Sequence, residues 1–139
     1  MKDKMSILDA VLQWAEEQQI KYKREEDGIL FPVSGENGNW YTRVCALEEQ
    51  QMLFIVTGYP FRVPEGAREK TAVELVNITS QLKMGAFYMN MEDGQINFRI
   101  CQKISTEVHR SMWIQEFIIL AMKLTDMHFK KMKGLAIEE

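Results

Sequence analysis

The sequence predicts an α+β fold: a single domain over residues 1–139 in which an antiparallel sheet is flanked by helices, in the order α-β(3-4)-α-β-β-α. Three observations carry this. Apolar residues recur at helical spacing near the start and again from Ala67 to Leu82. Between these stripes the chain breaks into short alternating runs separated by glycine, asparagine and proline, the pattern of strands and turns. Beyond them, Asp93-Gly94 stands between two alternating apolar runs, a strong hairpin signal because a tight primed turn needs positive φ at both central positions. A chain of this size buries about two-thirds of its unfolded surface around one core.

Taken in order, Ser6 and Asp9 form a capping pair, and Ile7, Leu8, Val11, Leu12, Trp14 and Ala15 make one apolar stripe, so a helix is expected from Met5 to Gln18. Tyr22 to Glu25 reads as a strand, Asp27-Gly28 as a turn, and Ile29 to Val33 as an apolar run that Pro32 weakens as an interior strand and that an edge position would tolerate. Ser34 to Asn39 is a loop. Trp40 to Leu47 and Met52 to Thr57 then alternate as two adjacent antiparallel strands. Tyr59 to Pro64, with two prolines, is expected to end this sheet segment, Pro64 suiting the first turn of the next helix. That helix buries Thr71, Leu75, Ile78 and Leu82, with Ala72, Val76 and Thr79 widening the stripe, and Gly85 starts the hairpin.

If Asp93 and Gly94 form a two-residue loop, Met91 faces Ile96, Met89 faces Phe98 and Phe87 faces Ile100, all on the core side. The other side carries Ala86, Tyr88 and Asn90 against Cys101, Arg99 and Asn97, with Tyr88 and Arg99 close enough to stack. A last helix is expected to open at Ser105, with Glu107 and Val108, and to run to Lys133, where Gly134 stops it. It is apolar around most of its girth, leaving a ribbon through His109, Glu116, Lys123 and Lys130. One sheet face cannot cover so much, so another helix or a second protein must pack beside it.

Charge and chemistry narrow the function classes. The net charge is −3, and the one dense basic cluster, Lys130, Lys131 and Lys133, is short, so nucleic acid is disfavoured. The N-terminal segment lacks the apolar core of a secretion signal, and the longest apolar run, Phe117 to Met122, is too short to span a bilayer. A cytoplasmic protein without membrane association is expected. Cys45 and Cys101 read as structural thiols of a reducing compartment. His109 and His128 lie nineteen residues apart on one helix, too far to share a metal within one chain. No metal-ligand pair, phosphate loop or nucleophile elbow occurs, so no enzyme, cofactor or metal is expected.

Tyr59-Pro-Phe-Arg-Val-Pro64, the following Arg68, Leu75-Val76-Asn77, Gly85-Ala-Phe87, and Glu92-Asp93-Gly94 with Phe98-Arg99 together resemble the middle motif of the YbjN-like family, and Trp40 and Arg43 also fit it. The resemblance spans about Ile7 to Lys133. It implies the type III secretion chaperone-like fold, related to chaperones that dimerise and hold partner polypeptides, and it brings no catalytic signature. The expected role is therefore a protein-binding adaptor or regulator, a homodimer with an unidentified protein partner. Trp40, Arg43, Tyr88, Arg99 and Trp113 are the candidate contact residues, since aromatics and arginine concentrate energy at interfaces. The rival is a small-molecule sensor in which the methionine- and aromatic-rich side of the hairpin lines a pocket beside the last helix.

Overall fold

A computed structural model describes residues 5–104 and 109–137. Helix α1 (Ile7–Glu17) leads into strands β1 (Lys23–Glu25), β2 (Gly28–Ser34), β3 (Asn39–Leu47) and β4 (Met52–Arg62). A short 3-10 turn (Glu65–Ala67) and helix α2 (Arg68–Thr79) come next, then strands β5 (Ala86–Met89) and β6 (Gln95–Lys103) and helices α3 (Arg110–Met127) and α4 (Phe129–Ile137). The strands form one antiparallel sheet in the order β1-β2-β3-β4-β6-β5. Helices α1 and α3 lie side by side on one face of it, α4 packs on β4, and α2 borders the β5 edge. The expected α+β architecture is therefore present, and the neighbour that α3 required is α1.

The alternation of each strand decides which side is covered. Trp40, Thr42, Val44 and Ala46 of β3, Leu53, Ile55, Thr57 and Tyr59 of β4, and Ile96, Phe98 and Ile100 of β6 are all buried on the helix side. Within this apolar layer runs one polar seam. The Thr57 hydroxyl lies 2.7 Å from that of Thr125, which itself donates to the Ala121 carbonyl at 2.8 Å, and the Tyr59 hydroxyl donates to the Thr125 carbonyl at 2.9 Å. Burial drives the Tyr59 phenol pKa upward, so it stays a neutral donor. These bonds fix α3 on β4 at one position along its length. Just beyond, Phe129 enters an aromatic cluster, edge-on to Tyr59 at 5.6 Å and to Phe61 at 5.5 Å, with Trp40 at 6.4 Å. A Cβ on Gly38 would fall 2.2 Å from that ring, which explains a glycine in the β2–β3 loop.

Several expectations are corrected. The hairpin turn is not the two residues Asp93-Gly94: β5 and β6 pair Phe87 with Phe98 and Met89 with Ile96, leaving Asn90 to Gly94 as the loop. Asn90 Oδ1 accepts from the Glu92 amide and Asp93 Oδ1 from the Gln95 amide, and Arg68 donates to the Val63 and Glu92 carbonyls at 2.9 and 3.0 Å. The shift is two residues, so each side chain keeps its face, but Met91 leaves the core for the exposed loop. Strand β4 passes through Pro60 to Arg62; its pairing with β3 ends at Gly58 and that with β6 is irregular from there, so the missing N–H costs no ladder bond. Val76 is 67% exposed rather than part of the α2 stripe.

The last helix is two. His128 Nδ1 sits 2.9 Å from the Leu124 carbonyl, the chain turns there, and α4 continues through Gly134, where a Cβ would meet nothing. The expected start at Ser105, Glu107 and Val108 lies outside the described residues. At α1, Ser6 caps the Asp9 amide at 3.0 Å as expected. In addition, the Glu48 carboxylate, from the β3–β4 turn, accepts from the Ile7 and Leu8 amides at 3.3 and 2.8 Å.

This packing yields two stability tests. Thr125→Val removes the group that joins β4 to α3 and strands the Thr57 hydroxyl, and is expected to cost about 1–3 kcal/mol in chemical denaturation. Gly94 has φ of 79° and an added Cβ would come 2.3 Å from the Val63 carbonyl oxygen. Gly94→Ala is therefore expected to cost upwards of about 1–2 kcal/mol, whereas Gly66→Ala, in open space, changes stability by less than about 0.5 kcal/mol.

Candidate protein-interaction surfaces

Because α1, α3 and α4 share one face, the opposite sheet face presents its own side chains. Register across the strands sets them in rows. One row reads Lys23, Leu30, Arg43, Val56, Arg99 and Ala86 from β1 to β5; the next places Glu25, Gly28, Cys45, Phe54 and Cys101 side by side. Tyr41, Gly58, Asn97 and Tyr88 form a third. Phe54 and Val56 are only half-buried and Tyr41 is 60% exposed. The result is an apolar strip bordered by tyrosines and cations.

Arg43 is held by Glu25: Nε donates to Oε1 at 2.8 Å and Nη2 to Oε2 at 3.0 Å, a two-pronged pair across β2. The bond to Arg43 draws the Glu25 carboxyl below its usual range. Arg99 is arranged differently. Its guanidinium lies 5.4 Å from the Tyr88 ring centroid and 5.9 Å from that of Phe54, and no carboxylate among the described residues pairs with it. Tyr88 and Arg99 stack as expected from the sequence, diagonally rather than directly opposite, because Tyr88 pairs with Asn97. Burial pushes the Cys45 thiol up, away from thiolate, and Cys101 is exposed two strands away with Phe54 between them.

Of the other two candidates, Trp40 lies on the helix side, 3% exposed, with its indole N–H donating to Thr42 Oγ1 at 3.0 Å. As a candidate contact residue it is thus covered rather than presented: β3 pleats so that Trp40 and Thr42 share the covered side while Tyr41 and Arg43 point out. Trp113 is 44% exposed on α3, stacked on Phe117 at 6.3 Å, with Met112 and Ile119 also exposed along that helix. Sequence reasoning missed Tyr41 and Phe54, although the strand alternation that exposes Arg43 also exposes them.

A cleft of about 800 Å³ opens beside α3, lined by Val33, Trp40, Ile119, Met122 and Met127 with the β2–β3 loop as its wall. Asp126 builds that wall, its carboxylate accepting from the Glu36 and Asn37 amides at 3.1 and 2.8 Å. The hairpin's inner side is instead filled: Phe87 packs on Phe98 at 4.7 Å and on His128 at 4.9 Å, so the expected pocket there is occupied by core side chains. Among the described residues no group of three His, Cys, Asp or Glu is placed to hold a metal, and no helix is long and apolar enough to cross a membrane.

Residues 8–129 match the model of the YbjN family, described as "Putative bacterial sensory transduction regulator". The chain belongs to the YbjN family. Its structure is similar to that of YbjN from E. coli, called a "putative transcription regulator", at 14% identity with a TM-score of 0.64 over 86% of both chains. It is also similar to a chain of the ExsC-ExsE complex, at 7% identity with a TM-score of 0.64 over 100% of both chains. At such identities the likeness is one of fold, and the fold is the type III secretion chaperone-like one. No curated protein matches the sequence.

The Arg43 pair makes a pH prediction. Its folded-state carboxyl pKa is lowered, so the pair stabilises the fold above the ordinary carboxylate range and stops doing so as pH falls through the lowered value. In an NMR carboxyl titration, Arg43→Ala should return Glu25 to the ordinary range and remove that pair's share of the acid sensitivity.

Proposed function

We propose that this YbjN-family protein is a non-enzymatic, cytoplasmic, chaperone-like adaptor or regulator that binds another polypeptide and acts as a homodimer. The observation that carries this is the sheet face left open by the helices, where half-buried Phe54 and Val56 are framed by Tyr41, Tyr88, Arg43 and Arg99. An apolar centre with an aromatic and arginine rim is the composition of a protein-binding surface. The likeness to a chain of the ExsC-ExsE complex, a structure of two proteins together, supports the same reading at the level of fold. For the second copy, the exposed Met112, Trp113 and Ile119 offer an apolar ridge on α3, on the side away from the open sheet face.

A second reading, the small-molecule sensor, is favoured by the cleft beside α3, whose apolar wall of Val33, Ile119 and Met122 meets Lys123 and Asp126 at its rim. It moves the sensor pocket from the hairpin to the other flank of α3.

A photoreactive phenylalanine analogue placed at Tyr41 or at Tyr88 should give polypeptide adducts in cells, while the same group at Glu69, exposed on α2, should not. Equal adducts from all three sites, or none from either tyrosine, would remove the protein-binding reading. Light scattering should show two copies per particle, reduced to one by Trp113→Glu; a monomeric wild type would remove the homodimer.

A further inference from the structure

The chain is acidic overall, with a net charge of −3, yet its open sheet face is not. The strand positions on that face carry Lys23, Arg43, Arg99 and Lys103, and the carboxylate among them is Glu25, already spent on Arg43. Three of these cations, Lys23, Arg43 and Arg99, stand in a single row, on β1, β3 and β6, each two strands from the next. With strands about 4.8 Å apart, the cations repeat at about 10 Å across the sheet. Between them the same row holds Leu30 and Val56.

Resting on the protein-binding reading of this face, we infer that its occupant is an acidic polypeptide segment, running across the strands, whose carboxylates meet Lys23 and Arg99 at the two ends of the row and, between them, the Nη1 edge that Glu25 leaves free on Arg43, while its apolar side chains cover Val56 and Phe54. An extended chain advances about 10 Å in three residues, so acidic residues at every third position match the row. Arg99 is the principal anchor. The Tyr88 and Phe54 rings both lie within cation–π reach of its guanidinium, and it has no carboxylate of its own among the described residues. A planar guanidinium fixed in this way offers a paired donor edge to a carboxylate with little further ordering. A second copy of this chain is the weaker occupant, because two such faces meeting would set cation row against cation row.

The test uses the full chain and a short fluorescent peptide with glutamate at every third position and leucine between, read by polarisation. Wild type should bind this probe better than the same peptide with lysine in place of glutamate, and more weakly as ionic strength rises. Arg99→Glu should weaken binding about tenfold or more and Arg99→Gln less so, while Lys70→Glu, the same charge change on exposed α2, should leave it unaltered. Circular dichroism on each variant separates lost binding from lost fold, and Arg99→Gln keeps the question open to answer if the glutamate variant does not fold. Equal affinity for the lysine peptide, indifference to both Arg99 changes, or equal binding of a single-stranded oligonucleotide of matched charge would overturn the inference. So would self-association that Arg99→Glu abolishes, since the occupant would then be a second copy. If the probe fails while Tyr88 still yields polypeptide adducts, the acidic partner is wrong and the protein-binding reading stands; if both fail, both are wrong.

Discussion

The hydroxyl of Thr125 is the hinge of this architecture. A helix lying on an apolar sheet can slide along it at little cost, because dispersion and burial are non-directional. Hydrogen bonds are not, and a buried donor left without its partner costs about 1–3 kcal/mol. By accepting from Thr57 and donating to the Ala121 carbonyl, while its own carbonyl accepts from Tyr59, Thr125 gives α3 one seat on β4. The residues after it take their places from that seat. Asp126, one residue on, reaches the β2–β3 loop amides, His128 turns the chain, and Phe129 drops between Tyr59 and Trp40.

The same seat explains the asymmetry of the sheet. With α1 and α3 adjacent and α4 beyond the turn, the helical layer is complete on one side. The opposite face keeps half-buried apolar side chains that a two-layer fold has no element left to cover. The strand edges offer less to a partner than that face does. At β5, Thr79 at the end of α2 accepts from the outward Phe87 amide at 2.9 Å, and at the other edge β1 is only three residues long. Strand addition is thus obstructed at β5, and at the other edge it meets only β1 and the Phe31–Ser34 stretch of β2 that β1 leaves unpaired, which Pro32 interrupts, so the open face is the principal surface of the sheet.

Much of this was legible in the residues, and the failures have physical causes. Periodicity located α1, α2 and the strands because binary pattern and burial are the same fact seen twice. The side-chain faces within β5 and β6 were right although the register was not, since an even shift preserves the pleat; Met91, expected on the core face, falls in the loop. The register itself was set by contacts that no local pattern contains: Arg68 on the loop carbonyls and the Gly94 carbonyl accepting from the Val63 amide. Trp40 was misassigned for a related reason. Its alternation with Arg43 is plain, but tryptophan reads equally well as core or interface, and only its neighbour Phe129, distant in sequence, decides. The break at His128 was hidden because the ring's bond to the Leu124 carbonyl leaves no mark on helical periodicity.

The candidate site was the least legible part because it is a property of rows, not of segments. Lys23, Arg43 and Arg99 are far apart in the chain, and only Lys23 has basic residues beside it, Lys21 and Arg24. They become neighbours only through the pairing of β1 with β2, β2 with β3, β3 with β4 and β4 with β6. A net negative charge pointed away from any anionic partner, yet the field that a partner meets is local, decaying over about 10 Å at moderate salt. An acidic protein can therefore present a cationic face provided its acids lie elsewhere. Here several of them, Glu69 and Glu74 on α2 and Glu116 on α3 among them, lie on helices off that face. That separation also leaves the α3 ridge and the open face on opposite sides of the molecule. A second copy on one would not displace a polypeptide from the other.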